Sequence, residues 1–351
     1  MVEKIEKNYI DYDFYTQKVS GLLFIGDPHI SSNKPGRRTE QVFWEVIYKK
    51  LEESFLIAEK YDLQIVITGD LFNSPVEYNE TIKSRLYKLF RSSKYPVIIL
   101  TGNHDMANEK ELSEGDSLYS FGASGVVNII THTRAVCNLI IDGKNILLGG
   151  TPYGSEIPKD VKSYLKKDTD KCIWLTHHDL GFDGVYPGAT ELFEMKNCNL
   201  VVNGHMHLTK KPITIGDTTW FNPGNITRQS IDTIDHVPAV WEFTPKSGIK
   251  KHVLTYKKDI FNLVGKLVDV SIDSKLVDDD NLSEIDAKSL FVDLMKEESS
   301  TDISKTDDGS VLLDEINHLI KEKKTPKVIS NIVLNLHKNV LNEIEEKKKE
   351  G

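Results

Sequence analysis

The stretch Asn203-Gly204-His205-Met206-His207 puts two imidazoles at alternate positions directly after the apolar run Leu200-Val201-Val202. Rings at that spacing can face one small region. Four earlier apolar runs also give way to Asp, His or Asn: Gly21–His29, Leu63–Asp70, Val97–His104 and Cys172–His177. Carboxylate, carboxamide and imidazole donors with no thiolate suit divalent ions such as Mn, Fe or Zn. A carboxylate has two oxygens and can bridge, so Asp70 is the candidate shared ligand. One ion then takes Asp27, His29, Asp70 and His207; the other takes Asp70, Asn103, His177 and His205. His178 stands next to His177 and is the alternative ligand at that position. Water held between two ions about 3.5–4 Å apart becomes a hydroxide-like nucleophile near neutral pH, and the same ions offset charge on phosphoryl oxygens. His104 is needed in neither ligand set, which makes it the candidate general acid or transition-state stabiliser. Asp105 and Asp179 are candidates for holding imidazole N–H groups.

Such residues need a rigid frame, and the chain spells one out. Leu22–Ile25, Ile65–Ile67, Val97–Leu100 and Ile173–Leu175 read as buried strands. Their continuous apolar character predicts sheets covered on both faces. A helix capped by Thr39 and carrying Val42, Phe43, Val46, Ile47 and Leu51 separates the first two, and Ile82–Phe90 reads as the next helix. The order β-α-β-α-β implies parallel strands with right-handed crossovers. Ligand sites in open α/β sheets lie beyond the carboxyl ends of their strands, where all five motifs fall. Asp142-Gly143 and Gly216-Asp217 predict hairpin turns, and Val161–Leu165 reads as a short helix. Strand candidates from Val126 onward, Ala239–Phe243 and His252–Tyr256 among them, are assigned to a second sheet packed on the first. The expected class is α/β: a two-sheet sandwich flanked by helices, with a C-terminal appendage.

The chain has 351 residues, 39% of them hydrophobic, enough for a large domain plus an appendage. The division expected is an N-terminal extension (1–20), a main domain (21–256), a small cap or linker (257–308) and a helical tail (309–351). In that tail, Thr325-Pro326 starts a helix whose apolar stripe suits a partner helix. No run is long enough to cross a membrane, and the start lacks an apolar leader, so a cytoplasmic protein is expected. Cys137, Cys172 and Cys198 are too far apart for a framework of disulfides and read as small buried apolar residues. The net charge of -9 does not advertise nucleic-acid binding. A local basic loop at Lys34, Arg37 and Arg38, just after the first motif, could hold a nucleic-acid backbone; Lys210, Lys211 and Arg228 are weaker candidates.

Gly26-Asp27-Pro28-His29, Gly69-Asp70, Gly102-Asn103-His104-Asp105, His177 and Gly204-His205-Met206-His207 together resemble the calcineurin-like metallophosphoesterase superfamily in content and order. The resemblance covers roughly residues 21–230, and its ligand roles agree with those above. Gly69-Asp70-Leu71-Phe72, Thr101–Asp105, Gly150–Gly154 and Asn222–Asn225 are similar to the SbcD-type DNA repair nucleases of cells and large phages. That resemblance implies Mn²⁺-dependent exo- and endonuclease action on DNA. It also implies an SMC-like coiled-coil ATPase partner gripping C-terminal helices, and it leaves a homodimer open. Asn73 stands where some members carry histidine and others aspartate. A small-substrate phosphodiesterase, for cyclic nucleotides or similar compounds, would share the same metal cage, and a non-catalytic scaffold would share the fold.

Overall fold

Apolar runs bounded by ligand residues become the central strands. The computed structural model describes residues 13–262, except 109–110, 186–187, 231–232 and 259, together with Leu334. The described residues up to 262 belong to one compact unit. The expected tail helices, and the cap or linker beyond 262, lie outside the described residues.

The first sheet is built on β2 (Gly21–Ile25), β3 (Leu63–Ile67), β4 (Val97–Leu100) and β5 (Val127–Ile130), which pair in parallel. Helices α1 (Phe43–Tyr61) and α2 (Glu80–Ser92) make the expected crossovers, and α3 (Ser117–Ala123) leads into β5. The second sheet contains β1 (Tyr15–Lys18), β6 (Arg134–Ile141), β7 (Lys144–Thr151), β8 (Lys171–His177), β9 (Leu200–Gly204), β10 (Lys210–Ile215) and β11 (Thr218–Asn222). Its spatial order is β1-β6-β7-β8-β9-β11-β10. The hairpin turns fall where expected: Asp142 and Gly143 both take positive φ between β6 and β7, and Gly216 does so between β10 and β11.

Alternation within each strand sorts side chains into layers. Leu22 and Phe24 of β2 join Val66, Ile98, Leu148, Ile173 and Val202 in the core between the sheets. Leu23 and Ile25 point the other way, onto Ile47, Leu51, Leu86 and Phe90 of the helices. Each such side chain, wholly buried, contributes about 1.5–3 kcal/mol. The outer face of the second sheet, with Trp174 and Trp220, is covered by Ile157, Val161, Leu180 and Met195. All three cysteines are free and buried, as expected.

Four expectations need correction. Strand β5, assigned with the later strands to the second sheet, joins the first beside β4, as do β12 (Ala239–Thr244) and β13 (Gly248–Val253), β12 pairing antiparallel with β2. Alternation sets which face of a strand is buried but not which edge it joins. Tyr15–Lys18 is not an extension lying on the core: β1 is an edge strand parallel to β6. Thr39 caps no helix; its amide and hydroxyl both donate to the Ile260 carbonyl, and α1 starts at Phe43 after Val42. The helix expected at Val161–Leu165 is one 3-10 turn, Lys162–Tyr164.

Candidate metal centre

Each of the motifs leaves the end of a strand and turns sharply. The parallel pairing of β2 and β3 continues into their loops: His29 N–H donates to the Asp70 carbonyl and Ile30 N–H to that of Leu71, both at 2.9 Å. Asp27, His29, Asp70 and His205 all have positive φ, at 26°, 46°, 49° and 72°. Only seven described non-glycine residues do so. Non-glycine residues held there carry about 1–3 kcal/mol of strain each, so the strain is concentrated where side chains must converge. The glycines before the motifs give them room. A Cβ at Gly102 would lie 2.1 Å from Asp70 Oδ1, and one at Gly69, itself at φ 121°, would lie 2.2 Å from His177 Nδ1.

The side chains gather in three overlapping trios: Asp27, His29 and His207; His29, Asp70 and His104; Asp70, His177 and His205. Within each trio the nearest donor atoms lie within 4.8 Å of one another. Asp70 Oδ2 is 3.5 Å from His29 Nε2 and 3.1 Å from His177 Nε2. His207 Nε2 is 3.0 Å from His29 Nε2, and His205 Nδ1 is 3.0 Å from Asn103 Oδ1. Asp70 thus stands between the two expected ligand sets.

Electrostatics and hydrogen bonding both favour a cation here. Asp27 Oδ2 and His29 Nδ1 are buried without a hydrogen-bond partner, a costly condition for polar atoms. Burial pushes the Asp27 carboxyl up to about 6. Burial also acts to raise Asp70, but His177, His29 and His104 overcome it and hold that carboxylate well below its ordinary range. Burial opposes charge on His177, yet Asp70 and Asp27 win and lift it to about 10. A proton on His177 thus supplies positive charge that a divalent ion would supply better. The donor set of oxygens and imidazoles, with no sulfur, fits such an ion.

Outer contacts orient the donors. Thr68 O–H donates to Asp27 Oδ1 at 3.1 Å, and its carbonyl accepts from His177 Nδ1 at 2.8 Å. Asp179 Oδ2 lies 3.2 Å from His205 Nε2. Asp105 does otherwise: it accepts from Gly102 N–H and Phe72 N–H, at 3.0 and 3.3 Å, tying two ligand loops together. Burial and the Asp70 charge raise its carboxyl to about 7. His104 Nδ1 is 3.0 Å from the Asn73 carbonyl. A carbonyl can only accept, so Nδ1 carries the proton and proton exchange falls to Nε2. The neighbouring rings at 177 and 178 take different partners. His178 Nε2 donates to the Ser155 carbonyl at 2.8 Å and Nδ1 accepts from His177 N–H, so its ring is committed to backbone.

Residues 21–208 match the family model described as calcineurin-like phosphoesterase. The chain belongs to that family. The two-sheet sandwich is the architecture its motifs implied, and the chain is a metal-dependent phosphoesterase by family and by donor set. This phosphoesterase is 24% identical over 305 residues to the DNA double-strand break repair protein Mre11 of Methanococcus maripaludis, across 80% of this chain and 69% of that one. Among solved structures it is similar to the NAD nucleotidase of Haemophilus influenzae: 12% identity, TM-score 0.38, covering 67% of this chain and 50% of that one. A putative 5'-nucleotidase from Staphylococcus aureus gives 9% identity and a TM-score of 0.36, with 71% and 56% covered. The chain spans about half the length of these two structures.

The basic residues expected at the rim of the phosphoesterase site divide. Lys34 is exposed and Arg37 is partly buried. Arg38 is withdrawn from that role: it is 3% exposed, paired with Glu40 at 2.6 Å and packed over Phe43 and Phe261. Arg228 is buried too, donating to the carbonyls of Ile234 and Lys257, and Lys210 pairs with Asp183. Sequence reasoning missed Thr68 and the main-chain oxygen of Asn73. Thr68 works partly, and Asn73 wholly, through a carbonyl every residue has, so neither left a signal. Tyr153 stands beside the site with its ring 5.6 Å from His205.

Proposed function

We propose that this phosphoesterase is a DNA exo- and endonuclease subunit that works with two divalent ions, Mn²⁺ first among them, and an SMC-like coiled-coil ATPase. The observation that carries the reading is Asp70 standing within 3.5 Å of imidazoles from both ligand sets. The similarity to Mre11 supports DNA as the substrate.

In this mechanism Asp27, His29, Asp70 and His207 would hold one ion, and Asp70, Asn103, His177 and His205 would hold the other. Bound ions supply Lewis acidity toward the phosphoryl oxygens and toward water. Thr68 and Asp179 keep the ligand rings and carboxylate in place. His104 delivers a proton from Nε2 to the departing 3' or 5' oxygen, its ring orientation set by Asn73. Lys34 and Arg37 meet the backbone phosphates of the duplex, a contact that positions DNA without reading its sequence.

The test is hydrolysis of linear duplex DNA by the purified chain with Mn²⁺, with and without a coiled-coil ATPase encoded beside it. Nucleotide release by wild type, lost in His104→Ala, is the expected result. Turnover of cyclic nucleotides with all DNA left intact would replace the nuclease by a small-substrate phosphodiesterase.

A further inference from the structure

Outside the metal centre, the same compact unit contains a cleft of about 250 Å³ between α1 and the segments around Thr227–Arg228 and Thr255–Ile260. Five basic side chains line it, from Arg38, Lys49, Lys50, Arg228 and Lys257, against the two acids Glu40 and Glu53. That balance is opposite to the net charge of -9 carried by the whole chain.

Lys50 gives the cleft its character. It lies on the core-facing stripe of α1, between Ile47 and Ser54, and is only 4% exposed. Its Nζ has no hydrogen-bond partner. The nearby carboxylates are committed elsewhere. Glu40 holds Arg38 at 2.6 Å, and Glu53 accepts from Thr255 N–H at 2.9 and 3.1 Å. Thr227 Oγ1, in the same lining, is likewise buried without a partner. A buried ammonium costs several kcal/mol unless an anion answers it. Burial accordingly pulls the Lys50 amine down to about 7, with Glu53 only partly offsetting it. A methionine or leucine here would complete the apolar stripe at no such cost, so the lysine points to a ligand.

We propose that this cleft binds a phosphate group, free or carried on a small metabolite, through Lys50 Nζ and Thr227 Oγ1. Arg38 and Arg228 keep their protein partners and add fixed positive charge, which favours a dianion over a carboxylate. The volume is below the roughly 300–1,000 Å³ of sites for drug-sized ligands, which suits a phosphate and little more. The site shares no residue with the metal ligand sets, so it stands or falls independently of the nuclease reading.

The experiment uses the full chain, stripped of metal with EDTA and dialysed, so that the metal centre cannot hold the anion. Calorimetric titration at pH 6.5 is run with inorganic phosphate and, in a second arm, with a nucleoside monophosphate. Wild type is expected to bind at least one of them, Lys50→Met to bind at least about tenfold more weakly, and Thr227→Val several-fold more weakly. Binding of both probes identifies free phosphate as sufficient; binding of the nucleotide alone identifies a carried phosphate. Equal affinity in wild type and Lys50→Met, or no heat with either probe in wild type, overturns the proposal. Should Lys50→Met fail to fold, Lys50→Gln and Thr227→Val carry the same comparison.

Discussion

His207 Nε2 faces His29 Nε2 at 3.0 Å, across the loops that follow β9 and β2. Two imidazole nitrogens that meet without a cation must share a proton or repel. The pairing therefore couples the fold to whatever positive charge sits between them. Metal removal is expected to loosen both loops. Ions at about 100 times their dissociation constant add about 2.7 kcal/mol to stability. For a unit of this size that corresponds to roughly 5–10 °C in melting temperature. Melting curves in EDTA and in excess Mn²⁺ make the comparison; coincident curves would contradict the metal reading.

Gly102 is expected to tolerate no side chain. A Cβ there would meet Asp70 Oδ1 at 2.1 Å and Asp70 N at 2.6 Å. Gly102→Ala should lower stability by about 1–3 kcal/mol, as overpacked sites do. It should also weaken metal binding, because the clash displaces the Asp70 carboxylate. Denaturant unfolding and metal content by mass spectrometry measure the two effects separately.

His104→Ala and Asn73→Ala should part company. Loss of the His104 imidazole is expected to reduce the rate by about 10²–10⁴-fold, with metal content retained. Asn73 orients that ring through its carbonyl oxygen at 3.0 Å, which alanine also has. Asn73→Ala should therefore stay within about threefold of wild type. A collapse of activity in Asn73→Ala would assign the work to the carboxamide side chain instead of the main chain.

Lys50 should give the fold a distinctive pH dependence. Its folded-state value, about 7, lies below the ordinary 10.5. Between those limits the unfolded chain binds more protons, so stability rises with pH across the window. Below pH 7 both states are protonated and the contribution is flat. Burial is the main cause; Glu53 and Glu40 oppose it, and Arg38 and Arg228 add to it. One pKa unit is worth about 1.36 kcal/mol, so the gain from pH 7 to 9 is on the order of 2 kcal/mol. Lys50→Met should remove it. Urea unfolding of both proteins at the two pH values, in phosphate-free buffer, measures the difference; identical slopes would place the amine in water.

The candidate site was legible because its chemistry sits at strand ends. A strand buried on both faces has to be apolar throughout, so the first polar residues after Ile25, Ile67, Leu100 and Val202 stand out against the run before them. Glycine before Asp27, Asp70, Asn103 and His205 adds to the pattern, since the loops cross too closely for a Cβ at Gly102 or Gly204. Residue types, order and spacing along the chain thus singled out the candidate donors and determined the parallel β2–β4 core and the two hairpin turns. Only the tertiary structure decided what depends on direction in space. His177 turns its ring toward Asp70 while His178 turns to the Ser155 carbonyl. Asp105 ties backbone amides, Arg38 and Arg228 fold inward, and β12 pairs with β2 rather than with the second sheet. A side chain's partner is chosen by the packing of segments tens to hundreds of residues apart, and local sequence carries no record of that choice.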